Sequence, residues 1–173
     1  KAIRYEYSEP EQYSVMVGRA LELWQELEVA SGTTLYVNSG IVCWGYGDAP
    51  YTRNSFKTLS RLGSPLRELT PNELFHLYPQ FSVAAVSYAT YNPEGGFMRA
   101  SACVQALAGV VRQMGGEIRE NCRVTRLITE GDIVTVAIEN VDAVTSSRVV
   151  LAAGPWTVSL LPELGLDLPV TAH

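Results

Sequence analysis

Two stretches carry residues whose type and spacing can do chemistry. Near the end of the chain stands RVVLAAGPWTVSLLPELG, residues 148–165. Val149, Val150 and Leu151 are a short continuous apolar run, as expected of a strand covered on both faces. Ala152, Ala153 and Gly154 carry little or no side chain and let the backbone approach a flat or bulky group. Pro155 suits the first turn of a helix, whose free N–H groups attract phosphate. A tight packing turn and a cofactor turn both satisfy these residues. At the other end, KAIRYEY places the Lys1 ammonium and the Arg4 guanidinium three residues apart among apolar and aromatic neighbours. Arginine is a permanently charged fork that clamps a carboxylate, but an arginine on a solvated edge strand is the plainer alternative.

Other sets of reactive residues are incomplete. There is no Gly-x-Ser-x-Gly elbow, no P-loop and no paired histidines at metal spacing. Cys43, Cys103 and Cys122 are an odd number without metal-type spacing, so no metal site is expected and each reads as a small buried hydrophobe. His76 reads as a structural residue on a short helix. Arg99, expected at a helix start where the dipole disfavours a cation, either pairs with Glu94 or serves an anion.

The elements that must position these residues follow from periodicity. Ser8 to Gly32 reads as a helix, with Pro10 in its first turn and an apolar face of Val17, Ala20, Leu21, Leu23, Trp24 and Leu27. Asn38-Ser39-Gly40 between two β-rich runs predicts a hairpin. Tyr51 to Leu62 predicts a helix. Thr70-Pro71-Asn72-Glu73 is a capping box before another. SVAAVSYATYN reads as a strand. FMRASACVQALAGVVRQMGG reads as a second long helix facing the core through Ala102, Leu107, Val110, Val111 and Met114. EIRENCRVTRLITE reads as a strand pair or one bent strand, GDIVTVAIEN as a β-run introduced by the Gly131-Asp132 turn, and a short connection leads to SSRVVLAAG. The order is mixed α and β without clean βαβ alternation.

Composition bounds the partners. The 173 residues are 47% hydrophobic and 18% charged, ordinary for a globular chain. A net charge of -5 without basic runs argues against nucleic acid. No apolar run is long enough to span a membrane. The cysteine usage suits a reducing compartment, and a cytoplasmic location is expected. The chain opens without methionine and stops at PVTAH, so it reads as an internal piece of a longer protein. Oligomeric state is left open by the sequence.

Four segments, in order, resemble the FAD-dependent D-amino-acid oxidase superfamily, nearest its sarcosine oxidase and N-methyltryptophan oxidase branch. They are AIRYEYSEPEQYSVMVGRALELWQELE, TLYVNSGIVCWG, NPEGGFMRASACVQALAGVVRQMGGEIRENCRVTRL and RVVLAAGPWTVSLLPELGLDLPV. The resemblance implies an α+β / α/β fold: part of a Rossmann-like FAD-binding domain interleaved with an antiparallel-sheet substrate domain. Residues 1–31 would be a helical segment of the FAD domain and 32–98 part of the substrate domain. Residues 99–161 would return to the FAD domain, and 162–173 would start back to the substrate domain. By position in the family, Arg4 would bind the carboxylate of a small amino-acid substrate. Lys1, where the sarcosine oxidases carry arginine, would lie near the flavin. Val124 would meet the adenine end of FAD, and Ala153, Gly154 and Trp156 would lie along it. The family's Gly-x-Gly-x-x-Gly, its flavin-linked cysteine and its oxygen-reactive lysine have no counterpart in these residues. The implied activity is oxidation of an amino acid or N-alkylated amino acid, with oxygen becoming peroxide. On its own the chain is expected to bind FAD weakly or not at all, and to be inactive. The alternatives are a non-catalytic binding module, or a dehydrogenase that passes electrons to a partner.

Overall fold

The computed structural model describes residues 1–166. They form two compact units, Lys1–Glu117 and Ile118 onward.

The first unit contains β1 (Ala2–Ile3), α1 (Gln12–Ser31), β2 (Tyr36–Asn38), β3 (Ile41–Tyr46), α2 (Pro50–Arg61), β4 (Arg67–Leu69), α3 (Pro71–Leu77), β5 (Val86–Asn92), β6 (Gly96–Met98) and α4 (Ala100–Gln113). They build two three-stranded antiparallel sheets, ordered β1-β6-β2 and β3-β5-β4. One core cluster, Leu69, Leu74, Val86 and Ala89, lies against the second sheet and α3. The other, Leu35, Met98 and Cys103, is closed by Ile3, Trp24 and Leu27. The apolar stripe of α1 therefore serves the core through Leu21, Trp24 and Leu27, while Leu23, expected beside them, is exposed. Gly32 ends α1 in the left-handed region at φ 64°. The helix starts later than the Ser8 signal: Glu11 precedes its first turn without a side-chain cap, and the Ser8 N–H donates to Ser55 Oγ at 2.9 Å.

The capping box of α3 is as expected. Thr70 Oγ1 accepts from the Glu73 N–H at 3.2 Å, and Glu73 Oε2 accepts from the Thr70 N–H at 2.8 Å.

Three local expectations are corrected. Asn38-Ser39-Gly40 does turn the chain, with Gly40 at φ 69°, but β2 and β3 do not pair with each other. They enter different sheets, beside β6 and β5 respectively. A turn signal specifies the backbone reversal and leaves the partner to longer-range packing. Phe97 and Met98 belong to β6, not to the following helix; Arg99 only flanks it, its N–H given to the Leu35 carbonyl at 2.8 Å. The buried face of α4 is Cys103 with Ala102 and Ala106 beside it, while Leu107, Val111 and Met114 are exposed. The small residues of α4 face the cluster of Leu35 and Met98 and the packing against α1, which turns the larger ones outward.

In the second unit, β7 (Val124–Glu130), β8 (Ile133–Ile138) and β9 (Val141–Ser146) form an antiparallel meander, followed by a 3-10 turn (Gly154–Trp156) and the short α5 (Thr157–Leu160). Ile138 pairs with Val141, so Glu139-Asn140 is a two-residue hairpin loop with Asn140 at φ 60°. The sequence predicts only a short connection between GDIVTVAIEN and SSRVVLAAG, and the structure places the strand β9 there. The apolar run at Val149–Leu151 is not a strand: no strand among the described residues pairs with it, and Val150 is 90% exposed. A doubly covered strand needs neighbours on both edges, and without them its backbone has no ladder to join. The tail of the 162–173 segment, from 167 onward, lies outside the described residues.

Candidate functional site

Arg4 follows β1 directly. Antiparallel pairing of Ala2 with Phe97 and Ile3 with Gly96 fixes the approach to it. Nη1 donates to the main-chain carbonyl of Glu6 and, at 3.0 Å, to the Tyr51 hydroxyl. Tyr51 Oη in turn donates to the same Glu6 carbonyl at 2.6 Å. The guanidinium lies 5.0 Å over the Tyr7 ring and 5.8 Å over the Tyr51 ring. Burial is the largest single influence and works against its charge, but Tyr51, Cys43 and Tyr7 together outweigh it and the pKa moves upward. Arg4 is half-buried and has no carboxylate within ion-pair distance among the described residues. One edge of the fork is spent on neutral oxygens of this chain. Nε and Nη2 have no hydrogen-bond partner among the described residues, which leaves the charge available to a carboxylate.

Lys1 extends β1: its nitrogen donates to the Met98 carbonyl at 2.8 Å and its carbonyl accepts from the Met98 N–H at 2.8 Å. Its side chain is exposed and takes no part in the hydrogen bonds that hold Arg4.

The second unit brings three of the other candidates together. Val124, Ala153 and Trp156, with Arg123, Thr125, Ser159 and Leu160, line a cleft of about 610 Å³. That volume lies in the range of small-molecule sites. Pairing shifts register between Val124 and Arg126, so Thr125 is a bulge residue outside the β7–β8 ladder. The Trp156 ring is 74% exposed at the rim. Gly154 takes φ 55°, which lets the turn enter its 3-10 step; a Cβ there would meet nothing within 4 Å, so conformation rather than crowding calls for glycine. A mostly apolar cleft with an aromatic face and a bulged strand suits the aromatic end of a dinucleotide. Arg4 and Lys1 belong to the other unit.

The sequence shows aromatic neighbours of Arg4 within KAIRYEY but gives no sign of Tyr51. Tyr7 follows it at a spacing of three, but Tyr51 stands forty-seven positions on, at the start of α2, and no local pattern links the two. His76 is exposed, with Nδ1 2.7 Å from the Asn72 carbonyl, in keeping with a structural place. Arg99 makes no ion pair with Glu94; both are exposed. No cluster of potential metal ligands occurs among the described residues, and no helix there is long and apolar enough to cross a membrane. The three cysteines are free, and only Cys103 is fully buried. Burial, then Glu6, pushes the Cys43 thiol up to about 11, against the pull of Arg4. At pH 8 only about one thiol in a thousand would be ionised. Iodoacetamide labelling of Cys43, followed by mass spectrometry, is therefore expected to be very slow at pH 8. It should rise about tenfold per pH unit toward pH 11.

The model of the family described as FAD dependent oxidoreductase matches residues 1–173. N-methyl-L-tryptophan oxidase from Yersinia pestis (strain Pestoides F) is 29% identical over 172 residues, 99% of this chain and 45% of that protein. The chain thus spans less than half the length of the curated relatives it matches. Among solved structures, L-proline dehydrogenase from P. horikoshii superposes with a TM-score of 0.82 at 19% identity, covering 98% of this chain and 45% of that one. NikD, an amino acid oxidase essential for nikkomycin biosynthesis, gives 0.82 at 22% identity over 95% of this chain and 42% of its own. Glycine oxidase from Geobacillus kaustophilus gives 0.77 at 20% identity over 96% and 47%. These likenesses show the fold, a mixed α/β architecture with small antiparallel sheets, as the sequence predicts. The family match over the full chain places the protein in the FAD-dependent oxidoreductase family that contains the D-amino-acid oxidases.

Proposed function

We propose that these residues are part of an enzyme that oxidises an amino acid or N-alkylated amino acid with FAD, oxygen being reduced to peroxide. The observation that carries this reading is Arg4: a half-buried guanidinium without an acidic partner among the described residues, held from one edge by Tyr51 and the Glu6 carbonyl. A carboxylate placed on its free edge would gain charge-assisted hydrogen bonds in a partly desolvated setting. Tyr51 keeps the fork from collapsing onto solvent, and Tyr7 screens one of its faces from water.

Val124 would meet the adenine end of FAD, Ala153, Gly154 and Trp156 would lie along the cofactor, and Lys1 would lie nearer the flavin. The cleft of Val124, Ala153 and Trp156 has the size and the aromatic wall this needs. FAD, when bound, supplies the hydride-accepting chemistry at the substrate's C–H beside nitrogen. The protein's share is to hold the carboxylate and keep water off that charge. The division of residues 1–31 and 99–161 to an FAD domain and 32–98 and 162–173 to a substrate domain belongs to the same proposal. A cytoplasmic location does too, supported by three free cysteines.

The test is peroxide release by the full-length protein that carries these residues, on sarcosine, N-methyl-L-tryptophan, glycine and L-proline. Peroxide formed with at least one of them is the expected result. Reduction of an artificial dye without peroxide would identify a dehydrogenase instead. Full-length protein that retains no flavin would point to a binding module. The 173-residue chain alone is expected to lose flavin on desalting and to show no turnover. A flavin absorbance band that survives desalting would contradict that.

A further inference from the structure

Beside Arg4 lies a buried acid with no assigned part. Glu6 is 1% exposed. Its Oε1 accepts from Asn92 Nδ2 at 3.0 Å, and Asn92 is itself 1% exposed. Asn92 Oδ1 accepts from the Glu94 N–H at 3.0 Å, which fixes the orientation of the amide. Glu6 Oε2 has no partner, and no cation lies within ion-pair distance of the carboxylate among the described residues. A carboxylate placed this way is costly to bury, and a purely space-filling role would be better met by an apolar side chain.

What the side chain does is tie its own residue to a sheet. Asn92 closes β5 opposite Ile41 of β3, so Glu6 is fastened to the middle strand of a three-stranded sheet. The main-chain carbonyl of the same residue is the shared acceptor of Arg4 Nη1 and Tyr51 Oη. The carboxylate is hydrogen-bonded to Asn92 and forms no ion pair with Arg4, so it does not compete for the guanidinium. The place of that carbonyl, and through it the aim of the fork, depends on the bond between Glu6 and Asn92.

We propose that Glu6, through Asn92, is a positioning residue that aims Arg4 at the substrate carboxylate. The inference rests on the reading of Arg4 as the carboxylate clamp. It is tested in the full-length holoenzyme with the best amino-acid substrate of the panel above. Glu6→Ala and Asn92→Ala should each raise KM about tenfold with kcat within about twofold of the parent. Glu6→Gln keeps an acceptor for Asn92 and should stay within about twofold in KM. A side chain that serves only stability would instead lower flavin content or Tm without moving KM, and that result overturns the proposal. So does a Glu6→Gln variant as impaired as Glu6→Ala, because charge rather than tethering would then matter. If Glu6→Ala does not yield folded holoenzyme, Asn92→Ala and Glu6→Gln decide the matter by the same criteria. Arg4→Met is the control. If it raises KM while Asn92→Ala does not, the clamp stands and the positioning role falls. If Arg4→Met leaves KM unchanged, the clamp reading itself has failed.

Discussion

Replacing Arg4 with methionine in the full-length protein is expected to lower kcat/KM by about 30- to 1000-fold on a carboxylate-bearing substrate, mostly through KM. The magnitude follows from removing one partner of a partly desolvated charged hydrogen-bond pair, about 2–4 kcal/mol. Methionine keeps the length of the stem and much of its packing on Tyr7 and Tyr51 but has nothing to offer an anion. Arg4→Lys should recover only part of the loss. Lysine restores the charge as a point, yet it cannot donate sideways to Tyr51 and the Glu6 carbonyl while presenting two parallel N–H groups outward. Thermal stability should change by less than about 1 kcal/mol, because Arg4 forms no ion pair among the described residues that its loss would break. Steady-state kinetics with a melting curve separate the two effects. A KM within twofold of the parent would mean that Arg4 does not hold the carboxylate.

How far such a site is legible in a sequence depends on how local its causes are. The α1 stripe, the Thr70–Glu73 capping box and the Gly131-Asp132 turn are set by neighbours within a few residues, and all three stand where periodicity and capping rules put them. Arg4 was visible as a residue type. Its surroundings were not, because Tyr51 and Asn92 come from α2 and β5, forty-seven and eighty-eight positions away. The same limit explains the Asn38-Ser39-Gly40 error. A hairpin and a sheet-to-sheet crossing use the same turn chemistry, and only the long-range choice of β6 and β5 as partners separates them. The second unit gives the opposite case. Val124, Ala153 and Trp156 were assigned by resemblance alone, and no spacing rule links position 124 to 153. They nevertheless line one cleft, because α5 and the Pro162–Leu164 turn after it pack back on β7.

The crossing between the two sheets also sets the largest expected change in stability: Gly96→Val should destabilise the chain by about 3 kcal/mol. Gly96 opens β6, the central strand of its sheet, and pairs with Ile3 on one side and Asn38 on the other. A Cβ at this position would overlap the Val37 carbonyl oxygen and come within 2.9 Å of Tyr36 Cε2. The ring can turn, at the cost of the hydrogen bond from Tyr36 Oη to the Glu94 carbonyl at 2.8 Å. The carbonyl cannot, because it belongs to the adjoining strand. The sheet must therefore open, and with it the pairing that ends one residue before Arg4. For a chain of this length the loss corresponds to a fall in Tm of about 6–12 °C. Gly109 supplies the contrast. It lies inside α4, a Cβ there would meet nothing within 4 Å, and its φ is not positive. Gly109→Ala should raise stability by about 0.5–1 kcal/mol through helix propensity and a less flexible unfolded chain. Opposite shifts of the two variants in one melting experiment would place the glycine requirement in strand contact at Gly96. A Gly96→Val melt that coincides with the parent would show that the strands can separate at no cost, and the account of how β6 holds Arg4 in place would fall with it.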